Sequence, residues 1–333
     1  MSRAAATGGG ATPQVVADVA RRTGTAGATG ARRAARAAAG LLPFLALLLL
    51  PALAGAQTEP ALDPSDEYAL PPWVSIEIGG LDLSINKAVF YILTATVLTI
   101  IAITMISRRM EHRPTGRIQT TVEVAYDLMR NNIAGGNMDP KMAAKWFPFI
   151  GTLFLFIWFS NMIGYIPLPT NTMHMVDIGG FEIPSFAIYA ATANISVPLI
   201  LAIVVWISYH VEGIRAKGPI GYVRSWVPSG VEGFMVGPIL LIETLSHFVR
   251  LLSLSLRLYA NILAGHLLIL FMAGGLVVLL GMGLFGSLVI GTTTGVLAVA
   301  FFLFEIGLVA TLQAFIFCSL TAIYLGDAVA EEH

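Results

Sequence analysis

The sequence predicts an all-α membrane protein with five membrane-embedded helices, the last two long and tilted, plus one amphipathic surface helix. Three observations carry this. Hydrophobic residues make up 56% of the 333 positions and charged residues only 12%, a balance too apolar for a water-soluble globule. Several runs of about 20 apolar residues match the hydrocarbon core that a helix must cross, with every backbone group bonded inside its own segment. Lys and Arg gather between those runs, as cytoplasmic loops of a membrane protein do. A net charge of −1 gives no footprint for nucleic acid. The single cysteine, Cys318, lies inside an apolar run. It excludes a disulfide framework and a thiolate metal site and reads as a small packed residue.

The elements follow in order. Residues 1–56 form a signal-peptide-like leader: an Arg-rich stretch, the apolar run Leu41–Leu53, and the cleavage-like Ala54-Gly55-Ala56. An uncleaved anchor is the alternative. Residues 57–85 are polar and acidic, an exported segment, and residues 86–333 form the membrane domain. Its first helix spans Asn86 to Ser107, and the cluster Arg108-Arg109-Met110-Glu111-His112-Arg113 holds that end in the cytoplasm. From Gly116 to Ile133, apolar Ile118, Val122, Ala125, Met129 and Ile133 share one side, the mark of an amphipathic surface helix. Glu123 and Asp127 are its wet face or a contact for a stalk partner, and Gly135-Gly136-Asn137 ends it.

The second span is Trp146 to Ile166, with Asn161 near its far end. Pro167 to Pro184 has no Lys or Arg and reads as an external loop. The third span, Phe186 to Tyr209, contains Asn194, Ser196 and Pro198, which predicts a kink. A basic loop follows at Val211 to Val227. The fourth helix starts near Val236 and stays apolar to about Leu280, and glycines 274, 275, 281, 283 and 286 mark the outer turn. The fifth runs from about Leu288 to Leu325. Both exceed the roughly 20 residues of a perpendicular span, so both should tilt. Loop charges place the mature N-terminus outside and the C-terminus inside.

The fourth helix holds the chemistry. Beyond Trp226 the only Lys or Arg residues are Arg250 and Arg257, both in this helix. A mid-membrane arginine costs roughly 2.5–3.5 kcal/mol on insertion scales, so it faces protein or a water-filled cavity and points to ion chemistry. At 100° per residue, Glu243, Arg250 and Arg257 share a face, and Asn261 joins it one turn on. His266 lies about 13 Å further along the axis and roughly 180° around it. Two polar compartments at two depths are expected. No His/Glu triad, phosphate loop or nucleophile–base spacing supports a metal, a cofactor or a hydrolase.

The run Ser255-Leu256-Arg257-Leu258-Tyr259-Ala260-Asn261-Ile262-Leu263-Ala264-Gly265-His266 and the later Thr311-Leu312-Gln313-Ala314-Phe315-Ile316-Phe317 together resemble the signature of the subunit a family of F-type ATP synthases. The likeness extends over roughly residues 85 to 327. It implies a proton-translocating stator subunit that forms two offset half-channels and is not itself catalytic. The implied partners are a ring of c subunits, each a two-helix protein bearing an Asp or Glu, the peripheral stalk b subunits and the remainder of the complex. The implied place is a bacterial inner membrane.

In that reading Arg257 is a fixed charge opposite the ring carboxylate, because a guanidinium keeps its proton. The plainer alternative is an ion pair with Glu243 or Glu305. The resemblance makes Asn261 a path-lining residue, His266 a proton relay and Gln313 a residue that orients Arg257 or nearby water; helix packing is the alternative for Asn261, and a satisfied core histidine for His266. Glu305 sits eight residues before Gln313, where the family usually places its titratable group seven before. The slip turns the side chain by roughly 100° unless a local bulge absorbs it. Glu243 and Arg250 line an inner half-channel or pair with each other, and Ser253 is the serine expected to touch water. His247 reads as structural. Thr192 stands where many family members carry an acid. An ion-coupled secondary transporter is the rival class, and it would call for discontinuous helices and repeated halves; no internal repeat is evident.

Overall fold

A computed structural model describes residues 69–109, 117–178, 181–228, 230–231, 233–280 and 284–330. The chain divides into two units, Met1–Pro60 and Ala61–His333, and every described residue belongs to the second. The expected leader, Gly281, Gly283 and the last three residues lie outside the described part.

The described part opens on a small antiparallel pair, β1 (Glu77–Ile78) and β2 (Leu81–Asp82). Helix α1 (Lys87–Arg109) follows. The Asn86 side chain accepts the Val89 N–H at 3.1 Å, so an asparagine caps the helix start. Leu93, Val97 and Ile100 on one side of α1 are exposed, as a lipid-facing surface would be. On the other side Ala88, Tyr91 and Ala95 pack with Ile163, Tyr189 and Ala191.

The surface helix α2 (Arg117–Asp127) runs on through a π-helical stretch, Leu128–Ala134, and a last α-turn, Gly135–Asn137. The expected break at Gly135 therefore comes later, at Met138, whose backbone is extended (φ −143°, ψ 156°). Gly135 stays helical because its N–H bonds to the Arg130 carbonyl, and Asn137 bonds back to the Ile133 carbonyl at 2.7 Å. Met129 and Ile133 of the predicted apolar side are buried.

Helix α3 (Pro140–Gly164) begins six residues before the expected Trp146, since Pro140 at the first helical position loses no hydrogen bond there. Lys145 in its second turn pairs with Glu212. The external segment read as a loop is instead a β-hairpin, β3 (Leu168–Ile178) with β4 (Phe181–Ala187). Its closing pairs are Ile178 with Phe181 and Asp177 with Glu182. Gly179-Gly180 between two β-prone runs is the sequence cue for such a hairpin.

Helix α4 (Ser196–Lys217) starts ten residues after the expected Phe186 and follows one 3₁₀ turn, Ala191–Ala193. Asn194 caps its entry by accepting the Ser196 N–H at 3.0 Å. Pro198 is thus the third helical residue, where its missing N–H has no intrahelical acceptor anyway, and no kink is needed. The short α5 (Pro219–Arg224) lies in the basic loop. Helix α6 (Val236–Leu280) matches its predicted bounds. Helix α7 (Leu284–Phe304), a π-helical turn (Glu305–Val309) and α8 (Ala310–Val329) form one continuous helical path.

Among the described residues five helices are long and apolar enough to cross a membrane. The 45 residues of α6 give about 68 Å at 1.5 Å per residue, so tilt or curvature must absorb the excess over a bilayer core. The main core joins α3, α4, α6 and α8 through Ile150, Phe154, Ile157, Val205, Leu258, Ile262 and Phe317. On α8, Ala310, Ala314, Cys318 and Ala322 repeat every four residues and are wholly buried. Small side chains at that spacing let helix backbones approach closely, the main source of helix association in lipid.

Candidate functional site

Helix α6 has two faces of opposite character. Leu254, Leu258 and Ile262 point into the core, together with Ser255, Gly265 and His266. On the other side Val249, Leu252, Ser253, Leu256, Arg257, Ala260, Asn261 and Ala264 are all exposed. Val249, Leu252, Ser253, Leu256 and Arg257 line a shallow groove there. On the neighbouring helical path Leu303, Phe304, Leu308 and Leu312 are exposed as well. The expected separation of Arg257 from His266 is present: the arginine is on the uncovered face, the histidine fully buried behind it.

Among the described residues Arg257 forms no ion pair and no hydrogen bond. Neither of its possible carboxylate partners is free to meet it. Glu243 pairs with Arg250 at 3.7 Å, which is the internal pairing foreseen for those two. Glu305 accepts a hydrogen bond from Tyr165 at 3.0 Å. Gln313 is buried, and no hydrogen bond joins it to Arg257.

The buried side of the site is built where α3 ends. Two residues of α3 and the Tyr165 that caps its end, all on one face, reach the α7–α8 path in succession. Trp158 donates to the Thr311 hydroxyl at 3.2 Å, Asn161 to the Ala310 carbonyl at 3.3 Å, and Tyr165 to Glu305. Thr192 donates to the Asn161 side-chain oxygen at 2.7 Å, so a hydroxyl bound to Asn161 occupies the place where an acid was expected by resemblance. The π-helical turn begins at Glu305 and supplies the bulge that an eight-residue spacing to Gln313 requires.

His266 is held at both ring nitrogens: Nδ1 lies 3.0 Å from the Ile262 carbonyl and Nε2 lies 3.2 Å from the Gly164 carbonyl. A neutral imidazole has one N–H, so its tautomer decides which of the two carbonyls the ring donates to. The Tyr165 ring stands 4.7 Å from the His266 ring, centroid to centroid. Two glycines make the cluster possible. A Cβ on Gly265 would strike the Glu305 carboxylate, and one on Gly164 would strike Ala190.

A second polar cluster lies toward the other end of α6. His247 is buried; its Nδ1 is 3.1 Å from the Tyr209 hydroxyl, and the His210 and Trp226 rings lie 4.9 and 4.5 Å away. The Arg250 guanidinium sits over the Tyr324 ring at 5.5 Å. His112 and His333 lie outside the described residues. Tyr165 and Tyr209 were invisible to sequence reasoning, since a tyrosine in an apolar helix is ordinary and only the fold supplies its partner.

Comparison with known proteins gives the family. Residues 89–326 match the family model described as ATP synthase A chain. The chain is 32% identical to ATP synthase subunit a of Parvibaculum lavamentivorans over 276 residues, 82% of this chain and 95% of the relative. It is 34% identical to the protein of the same name from Rubrobacter xylanophilus, over 80% of this chain and 93% of that one. With the Brucella ovis subunit a it shares 33% identity over 82% of its own length and all of the relative's. A match over most of the chain, reaching across the Arg257 helix and the Glu305 helix alike, shows that the chain belongs to the ATP synthase A chain family.

Proposed function

We propose that this chain is the proton-translocating stator subunit of an F-type ATP synthase in a bacterial inner membrane, with the mature N-terminus outside and the C-terminus in the cytoplasm. Protons enter from outside by way of His266 and Glu305 and pass to a carboxylate on a ring subunit. After the ring turns they leave past Arg257 toward the cytoplasm, near Glu243. Ser253 and Asn261 line the ring-side path, and Gln313 lies behind the arginine. Arg257 makes the two half-channels separate. Its permanent positive charge favours the ionised form of the carboxylate opposite it and bars protons from hopping directly between the channels. Moving one charge across the membrane yields about 2.3 kcal/mol per 100 mV, which the ring converts to rotation. The chain forms no covalent bond.

The observation that supports this best is the unpaired Arg257 on the uncovered face of α6, while the acid Glu305 is held behind it. A guanidinium at that depth needs an anionic partner, and its own chain offers none among the described residues. The transporter reading asks for a broken helix at the binding site, whereas α6 runs unbroken through Arg257.

Single cysteines at Leu256 and Asn261, in the assembled complex, test the arrangement. With a second cysteine introduced in the carboxylate-bearing helix of a small ring protein, both should form a disulfide to it under mild oxidation, and a cysteine at core-facing Leu258 should not. Cross-linking from Leu258 alone, or from none of the three, would contradict the proposed face.

A further inference from the structure

The end of α3 carries a residue that touches both members of the buried acid–base pair. Tyr165 is 1% exposed. Its hydroxyl donates to Glu305 Oε2 at 3.0 Å, and its ring lies 4.7 Å from the His266 ring. The preceding residue, Gly164, offers its carbonyl to His266 Nε2 at 3.2 Å. One backbone turn at the C-terminal end of α3 therefore fixes the histidine by its carbonyl and the acid by its hydroxyl. From the other side Gly265 leaves the space that the carboxylate fills, and Phe302 closes the tyrosine's outer flank at 6.0 Å.

We infer that Tyr165 is a positioning residue of the outer proton-loading site, holding the Glu305 carboxylate against the Gly265–His266 turn so that acid and imidazole act as one unit. This rests on the outer-path reading of His266 and Glu305. Among the described residues the titratable groups around that carboxylate are Tyr165 from α3 and, across the tyrosine ring, His266 from α6; its own helix contributes none. A phenol ordinarily titrates at about pH 10. The phenol thus stays protonated and serves as a donor throughout the working pH range, rather than as a group that releases its own proton. A hydrogen bond to a carboxylate changes the balance between its two protonation states, so the hydroxyl also sets the external pH at which loading occurs.

The test compares ATP synthesis driven by an imposed proton gradient, and its dependence on the pH at the outer face of the membrane, in inverted vesicles that carry the assembled complex and enclose that face in an acidified lumen. Tyr165→Phe keeps the ring and removes the hydroxyl. It should assemble normally, lower the rate several-fold and displace the pH profile by on the order of one unit. Gly265→Ala, which pushes the carboxylate off the hydroxyl from the opposite side, should displace the profile in the same way and stands in if the first variant fails to assemble. Glu305→Gln is the reference. If Glu305→Gln is inactive and Tyr165→Phe has the wild-type rate and profile, the tyrosine inference falls while the outer path stands. A lower Tyr165→Phe rate with an unchanged profile makes the residue merely structural and also overturns it. If Glu305→Gln sustains proton-driven synthesis like wild type, the outer-path reading itself falls.

Discussion

Arg250 and Arg257 are seven residues apart on one helix, yet they meet opposite fates. Arg250 finds Glu243 in its own chain and the Tyr324 ring beneath it; Arg257 finds neither acid. Both members of the Glu243–Arg250 pair keep about a third of their side-chain surface exposed, so water can replace either partner, and such pairs are worth about 0–1 kcal/mol. Arg250→Ala should therefore shift the melting temperature of the detergent-purified complex very little. Asn161 is different because it is wholly buried and bonded on both sides, to Thr192 and to the Ala310 carbonyl. Replacing it by leucine strands the Thr192 hydroxyl. At about 0.6–1.7 kcal/mol per interhelical bond in a membrane, Asn161→Leu should lower the melting temperature measurably, and an unchanged value would deny those bonds any role in packing. At this scale the polar positions were legible: an arginine, a histidine or an acid in an apolar run announces itself by its insertion cost. Their partners were not. Tyr165 and Tyr209 lie 140 and 38 residues from the groups they bond, and no local spacing reports a contact of that kind.

The long helices were read well as elements, and their ends poorly. Apolar length fixed the bounds of α6, because nothing but a helix hides its backbone in lipid. Where the membrane stops, that rule stops as well. The helix predicted from Phe186 begins at Ser196 because Asn194 caps it there, and the segment before it joins a hairpin instead. The Gly179-Gly180 signal for that hairpin was overlooked because a stretch without Lys or Arg looked like an external loop. Gly135 did not break α2, since glycine ends a helix only where the chain turns away, and here the backbone stays helical. The π-helical turn at Glu305 was foreshadowed by one oddity, an acid eight rather than seven residues from Gln313. If that turn sets the direction of the acid, exchanging the two neighbours as E305I/I306E should abolish pumping with the complex intact. Pumping retained by the exchanged protein would mean that the bulge does not choose the position.

Within the described part, one face of α6 and the Leu303–Leu312 stretch of the neighbouring path hold bare apolar side chains, and the opposite face of α6 packs into a core of small and branched side chains. Such an arrangement suits the proposed role, with the bare side of α6 turned to the ring. Its orientation can be checked without touching the site, because the native Cys318 is buried. A cysteine at Asp177 in the external hairpin should react with a membrane-impermeant maleimide only from outside, and one at Arg224 in α5 only from inside; the reverse pattern would invert the proposed topology. The central claim is that Arg257 keeps two half-channels apart. The most direct measurement drives protons through vesicles bearing the assembled Arg257→Ala complex, once by ATP hydrolysis and once by an imposed potassium diffusion potential. The fixed-charge account predicts that ATP-driven pumping disappears while passive proton leak through the membrane sector rises above wild type. Pumping at the wild-type rate, with no added leak, would contradict it.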